Sequence, residues 1–279
     1  VNVLLFTTLV GCGALVAGFL GALTGLGGGV VLIPLLVFSG VHIRYAAGAA
    51  LISVIATSSG AAASYVKEGY SNIRIGMFLE VATTIGALAG ASLMPLVEPE
   101  TIAILFGLVL LFSAYQSWRA RTDPGQDSQP DRLATALRLD GTYPTPEGKK
   151  GYHVYKVPVG FALMFVAGAL SGLLGIGSGA LKVLAMDQVM RIPFKVSTTT
   201  SNFMIGVTAA ASAGLYLRAG FIDPGLTMPV MLGVLAGSML GARVLASAET
   251  KMLRRVFTLV ILALALQMIY KGITEWGSR

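Results

Sequence analysis

The chain has 279 residues, of which 55% are apolar and 12% charged, and its mean hydropathy is +0.78. Soluble domains carry about 25% charged residues, so too little polar surface is available to cover a water-soluble sphere, and the composition excludes an ordinary soluble globule in favour of an integral membrane protein. The formal charge of +7 does not argue for nucleic acid, because no basic stretch is interleaved with aromatics and positive loops are normal beside membranes.

Charged, proline-bearing and polar clusters divide the chain into ten hydrophobic segments. The first five are Val3 to Leu23, Gly28 to Val41, Tyr45 to Val66, Ile75 to Val97 and Thr101 to Trp118; the second five are Val157 to Leu174, Gly179 to Met190, Val196 to Leu217, Gly225 to Ala248 and Val256 to Tyr270. The first run lacks a basic region and a small-residue cleavage site, and it is expected to be a retained helix. Residues 119–156 form a polar connector with Pro124, Pro130, Pro144 and Pro146, with room for one short helix near Asp131 to Leu139. Cys12 is the single cysteine, which leaves no internal disulfide and no cysteine cluster for a metal.

The two halves, residues 1–118 and 157–279, resemble each other at a shift of about 150 residues. Gly25-Leu-Gly-Gly-Gly29 matches Gly175-Ile-Gly-Ser-Gly179, Tyr65-Val-Lys-Glu-Gly-Tyr70 matches Tyr216-Leu-Arg-Ala-Gly-Phe221, and Gly86 with Gly90 matches Gly237 with Gly241. Five segments per half is an odd number, so if all cross, the halves enter from opposite faces as inverted repeats. With the connector placed in the cytoplasm, ten crossings put fifteen Lys and Arg inside and four outside; eight crossings, with the short segments re-entrant, put twelve inside and seven outside. The positive-inside rule favours ten. The expected fold is an all-α, polytopic transmembrane bundle of two inverted five-segment repeats. Its second segments, too short for the ~20 residues of a full span, are tilted or half-helices.

Glycine removes the steric penalty on unusual backbone angles, so Gly27, Gly28 and Gly29, and again Gly177, Ser178 and Gly179, mark places where a helix can break. A break at membrane depth needs protein or water to satisfy its amides. The half-helix that follows turns a positive dipole end toward the break, which suits an anion. Close packing through small residues would explain one such stretch; its repetition favours the anion. Lys182, three residues past the second break, is a cation in an apolar run. A cation there costs at least ~2.5 kcal/mol unless it faces a cavity or partner. An anion is the obvious counter-charge; the competing expectation is a lysine that snorkels to the headgroups or pairs with Asp187, five positions on. Thr199, Thr200, Ser201 and Asn202, with Ser53 and Thr57 in the corresponding first-half segment, are candidates to replace an oxyanion's water shell. For single residues the competing expectation is a hydrogen bond to their own backbone. Glu80 reads as an interfacial carboxylate, with pairing to a cation or proton coupling as the alternatives. Arg243 and Gln267 read as anchors at helix ends. No histidine lies in an apolar run, so Ser178 has no base and a membrane-embedded serine protease is disfavoured.

The glycine breaks, the Tyr-x-[Lys/Arg]-x-Gly-aromatic elements and the central polar loop resemble the sulfite exporter family, TauE/SafE, from Ala17 to Ile269, chiefly through Gly18 to Pro34 and its echo at Gly168 to Lys182. The resemblance implies a secondary transporter, not an enzyme, that exports sulfite or small organosulfonate anions across the cytoplasmic membrane, with Gly25 to Gly29 and Gly175 to Gly179 flanking the path. An anion channel along the same glycine-lined path is the alternative. The expected partners are a small sulfur oxyanion and the lipid bilayer, with neither cofactor nor nucleic acid, and with a homodimer left open.

Overall fold

A computed structural model describes residues 3–25, 27–67, 69–118, 131–145, 148–247 and 250–276. Before the connector run α1 (Val3–Thr24), α2 (Gly29–Phe38), α3 (Ile43–Lys67), α4 (Ile73–Leu93, continued by a 3-10 turn at Met94–Leu96) and α5 (Pro99–Trp118). After it come α7 (Val157–Leu174), α8 (Gly179–Leu184, continued by a wider π turn at Ala185–Val189), α9 (Phe194–Arg218), α10 (Pro224–Ser247) and α11 (Thr250–Trp276). These are the ten predicted segments, with ends shifted by a few residues. Among the described residues, Ile73–Leu96, Val157–Leu174 and Pro224–Val244 are long and apolar enough to cross a membrane on their own.

The ends are set by local chemistry. Asn72 caps α4, its Oδ1 accepting from the Ile75 N–H at 3.1 Å, and Gly175, at φ +73°, closes α7 with its N–H on the Ser171 carbonyl at 2.7 Å.

Glycines decide which helices lie together. A Cβ on Gly237 would stand 2.0 Å from the Leu15 carbonyl oxygen, and one on Gly241 2.5 Å from that of Phe19, so α10 lies backbone to backbone along α1. The same contact recurs elsewhere: a Cβ on Gly86 would be 2.1 Å from the Phe165 oxygen and one on Gly90 1.8 Å from the Ala169 oxygen, which seats α4 along α7. Residue numbers rise together in both pairs, so each pair is parallel. The small-residue rows leave no room for a side chain, and the partner carbonyls fill the space. α3 runs parallel to α10, with Gly48 against Phe221 and Gly60 against Ser238. α5 and α11 cross the other way, with Gly107 against Ile269 and Gly272 against Ile104.

The described part of the connector carries regular structure. The predicted short helix is there as α6 (Arg132–Ala136), but a hairpin of β1 (Gly141–Thr145) and β2 (Gly148–Tyr152), which the sequence reading did not foresee, follows it. Asp131 joins the connector to the bundle: Oδ1 accepts from the Leu133 N–H at 3.0 Å and Oδ2 from the Val157 N–H at 2.9 Å. Asn72 is a second tie. Its Nδ2 donates to the Leu139 carbonyl at 3.0 Å and to the Tyr152 hydroxyl at 2.8 Å, and its N–H donates to Thr200 Oγ1 at 3.0 Å. Burial pushes the Tyr152 phenol up to about 12, so it stays protonated at neutral pH. Asn72→Ala removes the helix cap and both connector bonds together. We expect a loss of about 1–2 kcal/mol, read as faster amide hydrogen exchange over Leu139–Tyr152 with unchanged exchange in α1 and α10.

Candidate functional site

Both glycine breaks are real interruptions. Gly25 and Gly27 take φ +73° and +76°, and Gly175 and Gly177 repeat the same two values, so one left-handed turn is built twice. The residues before the half-helices differ, with Gly28 at φ −59° and Ser178 at +56°. The two turns meet at one side chain. A Cβ on Gly27 would be 3.2 Å from one Val54 methyl and one on Gly177 2.7 Å from the other, midway along α3.

Polar side chains of α3 and α9 satisfy the interrupted backbone of the first break. The Gly28 N–H donates to Thr57 Oγ1 at 3.1 Å, Ser201 Oγ donates to the Gly25 carbonyl at 2.9 Å, and Asn202 Nδ2 donates to the Ala22 carbonyl at 2.9 Å. Ser201 Oγ also lies 3.4 Å from the Gly179 carbonyl of the second break. Asn202 Oδ1 is buried without a partner. These bonds explain how a helix can stop inside an apolar bundle. They also change the reading of the residues: in this conformation the hydroxyl and amide donors hold the end of α1.

The other predicted site residues have separate partners. Ser53 Oγ donates to the Ala50 carbonyl at 2.8 Å and Thr199 Oγ1 to the Lys195 carbonyl at 2.9 Å, each along its own helix. Thr200 Oγ1 accepts the Asn72 N–H, and Ser178 Oγ donates to the Gly177 carbonyl at 2.7 Å. Thus the glycines, Gly29 included, come together with Thr57, Ser201 and Asn202, while the hydrogen bonds of Ser53, Thr199 and Thr200 go elsewhere.

Lys182 is fully buried, and its partner is Glu80 across the bundle: Nζ stands 3.0 Å from Glu80 Oε2. It also donates to Thr208 Oγ1, whose own hydroxyl bonds Glu80 Oε1. Thr83 Oγ1 donates to Glu80 Oε2 at 2.9 Å and Thr84 Oγ1 reaches Oε1 at 3.4 Å. Two expectations are corrected here. Glu80 is no interfacial carboxylate, since it is 8% exposed inside the bundle, and the Lys182 counter-charge is not Asp187, which accepts from Gln188 Nε2 at 2.9 Å. The physical reason is placement: Asp187 lies within the π turn that follows α8, whereas α4 and α9 bring two polar groups, Glu80 and Thr208, to Nζ. Gln267 is likewise no end anchor. It lies within α11 and donates to the Pro34 carbonyl of α2 at 3.4 Å. Thr83 and Thr208 were not singled out from sequence. The available signal was the buried lysine itself, which requires a carboxylate from an apolar segment, and those segments hold Glu80 and Asp187.

A model of the sulfite exporter TauE/SafE family matches residues 10–268. The chain belongs to that family. Among relatives of this TauE/SafE protein, the probable membrane transporter protein YunE of Bacillus subtilis is 28% identical over 93% of this chain and 96% of its own. A probable membrane transporter protein of Xylella fastidiosa is 26% identical over 96% and 95%, and YdhB of Bacillus subtilis, also a probable membrane transporter protein, is 25% identical over 82% and 84%. No solved structure matches the chain significantly. TauE/SafE membership, together with several apolar helices of spanning length, makes this a multi-pass membrane protein of a transporter family.

Proposed function

We propose that the protein is a secondary transporter that exports sulfite or small organosulfonate anions across the cytoplasmic membrane, along a path between the two glycine breaks. The observation that carries the reading is the meeting of both breaks on Val54, where the N-terminal turn of α2 starts midway along α3. A half-helix that starts inside the bundle directs its positive end there, and discontinuous helices of this kind form midplane sites in many secondary transporters. The family match and the names of the relatives agree with transport.

An inverted arrangement of the halves is supported by the packing. The α1–α10 and α4–α7 contacts interchange when the halves are exchanged, and the antiparallel crossing of α5 on α11 fits ten crossings, whereas eight would make that pair parallel. We place the connector in the cytoplasm on the fifteen-to-four distribution of Lys and Arg. Export of an anion down its own gradient requires no nucleotide hydrolysis, and where no second charge accompanies it the membrane potential of a negative interior adds about 2.3 kcal/mol per charge per 100 mV.

The test is flux in proteoliposomes with sulfite, sulfate, isethionate and acetate. We expect saturable movement of sulfite and isethionate that exceeds acetate, and a loss of at least about tenfold in Asn202→Leu, which frees the Ala22 carbonyl at the break. Equal flux of all four anions, or none of the sulfur oxyanions, would overturn the substrate assignment. Single-channel conductance would support the channel instead.

A further inference from the structure

The Lys182–Glu80 pair has a consequence for coupling. Resting on the anion-transport reading above, we infer that a substrate anion binds Lys182 in place of Glu80, and that Glu80 takes up a proton as it is displaced. Glu80 Oε2, the oxygen now facing Nζ at 3.0 Å, is the atom that would receive it.

The argument is one of charge balance within a closed polar cluster. Lys182 Nζ is buried with Glu80 and Thr208 as its bonded partners. An anion that approaches Nζ competes with the carboxylate. A second negative charge cannot be added beside a single cation in an apolar interior unless one of the two anions is neutralised. Glu80 can be neutralised by a proton; a sulfonate cannot, because its acid is too strong. The threonines suit both states of Glu80. Thr83 and Thr208 donate to the carboxylate now, and each hydroxyl can rotate to accept from a protonated carboxyl.

Among the described residues of α4, α7, α9 and the turn after α8, no other charged group is placed to substitute. α7 carries no ionisable side chain. On α9, Lys195 lies over the Tyr70 ring, Tyr216 donates to the carbonyls of Gly172 and Leu173, and Arg218 is exposed at the far end. On α4 itself, Arg74 is directed to the Arg138 carbonyl, and beyond α8 Asp187 is held by Gln188. The half-to-half symmetry points the same way. The first-half counterpart of Lys182 is Leu32, so the pair is an addition to one half and does not belong to the repeated scaffold.

A proton carried with the anion cancels one charge. A monovalent sulfonate would then move without net charge transfer, so its flux would depend on its own gradient and on the pH difference across the membrane, and not on the membrane potential.

The experiment uses purified full-length protein and isethionate, whose single charge does not change over the range in which a carboxylate titrates. Calorimetry in two buffers of different ionisation enthalpy counts protons bound per anion. We expect close to one proton taken up per anion wherever the anion-free protein holds the Lys182–Glu80 ion pair, an apparent Kd that weakens by up to about tenfold per pH unit there, and isethionate flux that does not respond to an imposed potential. Glu80→Gln, which holds the site in its neutral form, is expected to bind with no pH dependence. Tight binding without proton uptake, or flux that follows the potential, overturns the inference and leaves the transporter reading standing. If isethionate does not bind but sulfite does, the same proton count is made with sulfite below its second pKa, where bisulfite carries one charge. Absence of both binding and flux for either anion overturns the transporter reading itself. The wild-type proton count decides the matter even if the variant does not fold.

Discussion

Lys182→Met is expected to destabilise the protein by about 3–5 kcal/mol, and Glu80→Gln by a similar amount, because each leaves a buried charge without its partner. The double variant Lys182→Met with Glu80→Gln is expected to recover most of that loss, since a neutral pair of similar volume in place of a buried ion pair is often neutral or better. The measurement is a double-mutant cycle on thermal or denaturant unfolding in detergent. The coupling should be large because the groups are 3.0 Å apart with Lys182 fully buried. Strict additivity of the two single changes would show that the pair is not formed in solution. The same three proteins separate folding from transport. The double variant should be well folded yet fail to carry sulfite or isethionate, because no cation is left to meet the anion. Wild-type flux through it would remove Lys182 from the mechanism.

The second large effect is steric. Gly90→Ala would place a Cβ 1.8 Å from the Ala169 carbonyl oxygen, and Gly168→Ala would place one 2.1 Å from that of Thr83. These obstacles are backbone atoms of a neighbouring helix, which cannot rotate aside as a side chain can. α4 and α7 must therefore separate along their length, at a cost at or above the ~1–3 kcal/mol usual for overpacking. We expect each variant to lose most of its yield of monodisperse protein and to melt well below the wild type. Gly237→Ala, 2.0 Å from the Leu15 oxygen, should behave alike at the α1–α10 contact. The control is Gly214→Ala in α9, where a Cβ meets nothing within 4 Å and helix propensity favours alanine by roughly 0.5–1 kcal/mol. If Gly90→Ala and Gly214→Ala melt together, the close approach of α4 and α7 is wrong.

Much of the architecture was legible in the residues because the bilayer imposes length and polarity rules that a linear chain displays directly. The long apolar runs, the two interruptions at Gly25 to Gly29 and Gly175 to Gly179, and the shift of about 150 residues between halves are all visible without coordinates. The family could be recognised from the same motifs. Local chemistry was also readable in part: a lysine in an apolar run had to face a cavity or a partner.

The identity of partners was a different matter. Lys182 and Glu80 are separated by 102 positions, and nothing local to either says that α4 and α8 adjoin. Nothing marks Asp187 as the wrong choice until Glu80 and Thr208 are seen at Lys182 Nζ and Gln188 at Asp187. The serines and threonines of α9 form one run in sequence, but a helix turns about 100° per residue. Thr199 therefore bonds its own backbone, Thr200 meets Asn72 and Ser201 meets Gly25. The connector hairpin escaped notice because its strands are short and polar, and it is held from outside by Asn72, which donates to the Tyr152 hydroxyl. Composition and spacing determined that this chain is a membrane bundle with two broken helices, because the penalties for polar groups in lipid act on each segment alone. The tertiary structure decided which buried charge neutralises which, since that depends on helices brought together by backbone contacts at glycine.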